Sequence, residues 1–180
     1  MPGWAAGMEL VRGLLETWWD GVHPQLDAED DNAPTARVNA VAPIGSLDGA
    51  LGYFQTTPFV QSSRLGRFSL RDLRIANGEF KPAAPAGGEG ETPAPPSLTE
   101  IEACCMDCPE DELTGTLAAV DRTLEHARAI DQLFGQLVGT AGPELKPLLA
   151  DAQGLKKFVG ARLVRRNPQS AAEAGTEAGE

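Results

Sequence analysis

Met8, Val11, Leu15, Trp18 and Val22 follow one another at steps of three, four, three and four, the spacing that lines one face of an α-helix. Leu10 and Leu14 widen that face. The helix predicted over 4–22 ends where Pro24 pushes the residue before it out of the α region. A longer stripe, Leu113, Leu117, Val120, Leu124, Ala127, Ile130, Phe134 and Leu137, repeats at threes and fours. It predicts one long helix with Pro109 in its first turn and Glu110, Asp111 and Glu112 at the positive end of its dipole. Gly139 and Gly142 interrupt the stripe, and a last helix from about 143 carries Leu145, Leu148, Leu149, Ala152, Leu155, Phe158 and Val159. Two long helices joined by a short glycine-bearing loop predict an antiparallel hairpin.

The patterns between these helices are shorter. Residues 32–45 carry Val38 and Val41 at helical spacing, with Pro34 tolerated in the first turn. Ser46 or Asp48 can cap a further helical turn through Leu51 and Phe54, after which 58–61 reads as extended. Ser69 precedes Leu70, Leu73 and Ile75, a short helix closed by Asn77-Gly78. Ser97 and Glu100 stand in the capping-box arrangement, each satisfying a free backbone donor of a helix that starts at Leu98 and ends near Asp107.

Residues 81–96, KPAAPAGGEGETPAPP, offer almost nothing apolar to offset the entropy of ordering and read as a linker. Residues 167–180, rich in alanine, glycine and glutamate, read as a disordered tail. The predicted fold is therefore all-α. A short-helix N-terminal subdomain over 3–80 and a hairpin region over 97–166 flank the proline- and glycine-rich linker, and no alternating run reaches a convincing strand.

Only 6% of the residues are aromatic, so the core should be largely aliphatic. A formal net charge of −11 argues against unaided binding to nucleic acid or an anionic membrane, and points to protein partners or self-association. With no apolar run of about twenty residues and no signal-peptide pattern, the chain is expected in the cytoplasm, without membrane insertion. The cysteines Cys104, Cys105 and Cys108 are spaced poorly for an intrachain disulfide. As zinc ligands they lack a fourth partner, since His126 lies deep in the next helix; Cys104 and Cys105 read better as small core residues near a helix end. Only His23 and His126 could serve as an imidazole base, and neither sits in a nucleophile motif. The acids between Asp27 and Asp31 lack the glycine and terminal glutamate of an EF-hand and read as a solvated loop. No glycine pattern cradles a phosphate, and Lys156, Lys157, Arg162, Arg165 and Arg166 read as cations favoured at a helix C-terminus. No catalytic residue, metal or cofactor is expected.

Taken together, GWAAGMELVRGLLETWWDGVHPQLD, RFSLRDLRIANG and SLTEIEACCMDCPEDELTGTLAAVDRTLEHARAIDQLF resemble the TssA (ImpA) family of the type VI secretion system. The resemblance rests on a helix running into Trp19-Asp20, the His23-Pro24 step and Asp27. It implies an all-helical, non-enzymatic cytoplasmic scaffold that helps assemble the baseplate and contractile tail. The implied partners are baseplate, tube and sheath proteins and other TssA subunits. The family carries helices before Gly3-Trp4 and a C-terminal ring-forming region, so the chain reads as a fragment or truncated product, and an uncovered apolar face on the first helix should favour self-association. Residues Trp18, Trp19, Asp20, His23 and Pro24 are the expected structural or interaction cluster. In that reading Trp18 joins the core, Trp19 flanks it near Phe68 and Leu70, and Asp20 and His23 fix the helix exit. The competing functions are a cysteine-based metal- or redox-responsive helical module and a generic helical adaptor.

Overall fold

The computed structural model describes residues 1–81 and 94–168. Most of the expected linker and of the expected tail lies outside them. The first helix, α1 (Pro2–Trp18), is followed by α2 (Thr35–Val41), which runs into a 3-10 turn at Ala42–Gly45, and by α3 (Ala50–Thr56). Strands β1 (Pro58–Ser62) and β2 (Gly66–Ser69) lead into α4 (Leu70–Ala76). Helices α5 (Leu98–Asp107), α6 (Glu110–Leu137) and α7 (Lys146–Arg166) complete the described chain.

α6 is the central strut, with α1 on one side and α7 on the other. Met1 and Pro2 share a cleft with Gly115 and Thr116, Arg12 lies beside Glu125 and His126, and the Trp19 ring meets Phe134. The 114-residue offset between Arg12 and His126 recurs within one position at Trp19 and Phe134, so α1 runs parallel to α6 without slipping along it. α7 returns antiparallel, with Asp121 paired to Lys156 at 2.6 Å and Arg128 bonded to Gln153 at 3.2 Å. A single cluster of buried residues takes Met8, Leu15 and Phe54 from the N-terminal half and Ile130, Phe134 and Leu155 from the hairpin. Covering both neighbours requires a wide face. Thr116, Ala119 and Thr123 are therefore buried on α6 beside the large aliphatics, the hydroxyls of Thr116 and Thr123 donating to the carbonyls of Phe59 and Ala119.

Several local rules hold as the sequence predicts. Ser97 closes the expected capping box with Glu100, and the structure adds a second one, not foreseen in the sequence, between Ser69 and Asp72. α5 spans Leu98–Asp107, and Gly78 takes a φ of 75° after α4, a conformation that costs glycine little. Gly45 answers a different demand, since a Cβ there would sit 1.9 Å from the Glu144 carbonyl oxygen in the loop before α7.

Three expectations need correction. The fold is mostly helical but not all-α, because β1 and β2 pair antiparallel with Val60 opposite Phe68 and Ser62 opposite Gly66. A bulge between Pro58 and Val60 lets the consecutive residues Phe59 and Val60 both be buried. Two short strands with that irregularity carry no period-two signal. α1 ends at Trp18 rather than near Val22, its chain turning as the amides of Gly21 and Val22 both donate to the Trp18 carbonyl. The uncovered face of the first helix is narrower than expected: Ala5, Met8 and Leu15 are buried within the chain, while Leu10 and Trp18 stay exposed.

Phe134 is fully buried and carries the edge-to-face contact, centroids 5.3 Å apart, that joins the ends of α1 and α6. Phe134→Ala is expected to lower the unfolding free energy by about 3–5 kcal/mol in urea titrations, the cost of emptying a buried aromatic site.

Candidate interaction surface

The stretch after α1 is organised by one buried cation. Arg37, on α2, is 1% exposed. Its Nη1 donates to the Trp19 carbonyl, Nη2 to those of Val22 at 2.6 Å and Pro24 at 2.9 Å, and Nε to Pro24 at 3.1 Å. The guanidinium also lies 4.7 Å from the centroid of the Trp19 ring. These carbonyls have left the helix ladder, and the arginine's fixed fork satisfies three of them at once. Burial lowers the Arg37 pKa while the Asp20 carboxylate works against that shift. An arginine begins so far above neutrality that it stays charged.

The expected cluster is therefore divided. Trp19, with ring contacts to Phe134 and Arg37, is the inward tryptophan; it does not pack near Phe68 and Leu70. Trp18, expected in the core, is 58% exposed. The buried face of α1 is centred on Ala5, Met8 and Leu15, and at 100° per residue Trp19 continues it while Trp18 falls on its shoulder. Asp20 is exposed and reaches Arg37 only through space. His23 is exposed, and its peptide bond to the half-buried Pro24 is cis. The acidic loop beyond is exposed yet ordered, the Asp27 amide donating to the Ala33 carbonyl at 3.0 Å. Arg37 escaped the sequence reading, although it lies one helical turn from Val41 on the same face of α2. That phase was the available signal.

The outer side of α1 is a second apolar face. Gly3, Trp4, Gly7, Met8 and Val11 with Ile44 line a shallow apolar hollow of about 250 Å³, and a Cβ at Gly3 or Gly7 would meet nothing within 4 Å. Leu10 is 63% exposed and Leu14 half-buried, so Gly3, Gly7, Leu10, Leu14 and Trp18 form a stripe beside the covered face. The hollow and stripe can take apolar side chains from a second polypeptide.

The polar clusters elsewhere are consumed inside the fold. Arg166 Nη1 donates to the carbonyls of Cys105 and Cys108, at 3.2 and 2.7 Å, closing the C-terminal end of α5. Arg74 pairs with the buried Asp151, which also accepts from Gln55 Nε2 at 2.7 Å. Cys104, Cys105 and Cys108 are all buried, and no group of metal-ligating side chains gathers among the described residues. Burial pushes the Cys104 thiol up to about 11 and that of Cys105 to about 12, and raises Cys108 as well. His126 sits 3.4 Å from Arg12 Nη1 and far along the chain from His23, on a different element. No helix among the described residues is long and apolar enough to cross a membrane.

Among the described residues, the polar groups above tie the elements of a mostly helical unit together, and the outer side of α1 is left apolar. Comparison with known proteins gives the family. The family described as ImpA, N-terminal, type VI secretion system, matches residues 1–45. The type VI secretion system component TssA1 of Pseudomonas aeruginosa is 38% identical over 149 residues, covering 82% of this chain and 40% of that protein. The fold also matches the solved N-terminal domain, including the conserved ImpA_N region, of the TssA component from Burkholderia cenocepacia. That match has a TM-score of 0.69 at 17% identity, over 92% of this chain and 65% of that one. The chain belongs to the TssA (ImpA) family of type VI secretion components and corresponds to its N-terminal region. It spans about 40% of the length of TssA1.

Two measurements check this account. Arg37→Met removes the donors while keeping the length of the side chain, and is expected to cost about 3 kcal/mol in urea unfolding, because buried carbonyls are left unpaired. The three thiols should resist Ellman's reagent in the folded protein and react on unfolding. Folded thiols keep their protons to higher pH than unfolded ones, so the unfolded state loses protons first. Stability should therefore fall as the pH rises past about 8.5, the ordinary thiol value.

Proposed function

We propose that this chain is part of a non-enzymatic cytoplasmic scaffold of the type VI secretion system, holding baseplate, tube and sheath proteins and other TssA subunits during assembly of the baseplate and contractile tail. The observation that carries the reading is the 38% identity with TssA1 over 149 residues. Its physical support is the open α1 face, where Trp18, Leu10 and the glycine-lined hollow present apolar surface at the edge of a rigid core. Within the expected cluster the roles divide. Trp18 contacts the partner, while Trp19, Asp20, His23 and Pro24 hold the exit of α1 in place so that Trp18 is presented from a fixed helix end. Residues 81–96 link the 3–80 and 97–166 regions.

The test is capture of purified baseplate, tube and sheath proteins of the same secretion system by the immobilised chain, with the Trp18→Ala, Leu10→Ser double variant alongside. The wild-type chain is expected to retain at least one of them. The variant should bind about thirtyfold more weakly, the loss of an interface tryptophan worth about 2 kcal/mol, with an unchanged melting temperature. Failure to capture any of these proteins sinks the scaffold reading, and equal capture by the variant sinks the role of the α1 face.

A further inference from the structure

A groove of about 510 Å³ runs between α4 and the middle of α7, on a different part of the surface from the α1 hollow. Its floor is apolar, with Leu73 and Phe158 on the two sides, and at Gly154 a Cβ would meet nothing within 4 Å. Charged side chains line the same groove. The two carboxylates among them are already engaged: Asp151 accepts from Arg74 and Gln55, while Glu79 accepts from Asn77 at 3.2 Å and lies 3.9 Å from Arg74.

Lys156 on α7 is paired with Asp121, but the α7 cations on the groove side are not matched in this way. Arg162 Nη2 donates to Glu102 at 2.5 Å, and that carboxylate is shared with Arg165 at 3.6 Å, so two guanidiniums divide one negative charge. Arg162 lies 3.6 Å above the Phe158 ring, which holds its head against the groove wall. Its Nε–H is buried and makes no hydrogen bond, so the charge of this guanidinium is incompletely matched within the fold. Lys157 is exposed on the groove's edge and makes no ion pair among the described residues. The result is a local surplus of positive charge on a chain whose formal net charge is −11, set next to apolar surface.

The geometry points to this groove as a docking site for a short acidic segment of another polypeptide, one in which a carboxylate stands beside a leucine-like side chain. The carboxylate pairs with Lys157 at the exposed edge of the groove, and the apolar side chain enters over Gly154 between Leu73 and Phe158. Charge complementarity selects the sign of the partner, and the apolar floor selects a peptide over a bare anion.

Fluorescence anisotropy with a labelled short peptide of alternating leucine and glutamate tests this on the full chain, with the glutamine-for-glutamate peptide and inorganic phosphate as comparisons. The acidic peptide is expected to bind at micromolar concentration, more weakly as salt rises, and the glutamine peptide at least tenfold more weakly. Lys157→Glu, at an exposed position, should weaken binding about tenfold. Gly154→Leu fills the floor without a clash and replaces a helical glycine with a better helix former, so it should abolish binding while the protein stays folded by circular dichroism. Absence of binding, equal binding of the glutamine peptide, or binding unaffected by both substitutions overturns the inference. Complete displacement by millimolar phosphate, with Gly154→Leu still binding the peptide, overturns it in favour of a simple anion site.

Discussion

The structure depends on α6 having to bury a face wide enough for two neighbours. One helix cannot stabilise itself in water at this length through propensity alone, and its apolar surface must meet a partner. Here Ala119, Thr123 and Ala127 widen the face that Leu113, Val120, Leu124, Ile130 and Phe134 define. α1 comes up parallel on one side and α7 antiparallel on the other. The antiparallel contact needs only the short turn at Gly139–Ala141 and the few residues after it. The parallel contact needs a long return path, and α2 to α5 with the hairpin supply it.

That return path explains where the buried charges lie. Each turn of direction releases carbonyls from regular pairing, and arginines collect them. Arg37 gathers three at the exit of α1, and Arg166 gathers two at the end of α5. Arg74 joins α4 to α7 through Asp151. Such ties contribute little as isolated ion pairs, yet removing one partner leaves the other buried and unpaired, so they fix one arrangement of the elements. The same accounting marks Arg162 as different, because one of its donors is left over.

The surface left open follows from this division of labour. α1 presents Gly3, Gly7, Leu10 and Trp18 outward, a face suited to shape-matched apolar contact. The groove between α4 and α7 presents charge beside apolar area. The two surfaces differ in chemistry, one wholly apolar and the other mixed.

The sequence by itself determined the elements whose signals are local. The stripe of α6, the capping box at Ser97, the bounds of α5 and the α6–α7 hairpin all follow from periodicity or from side chains bonding their own backbone. Matches at the Trp19-Asp20 and His23-Pro24 steps carried the family, which the comparisons then showed. Only the tertiary structure decided which tryptophan turns inward. Trp18 and Trp19 are adjacent on a helix and equally apolar, so the choice rests on the phase of the contact with Phe134 and on Arg37, a residue eighteen positions away from Trp19. The β-hairpin was likewise hidden, because its strands are too short and too irregular to print an alternation. Long-range contacts are chosen by the summed burial of distant residues, and no window along the chain contains both partners.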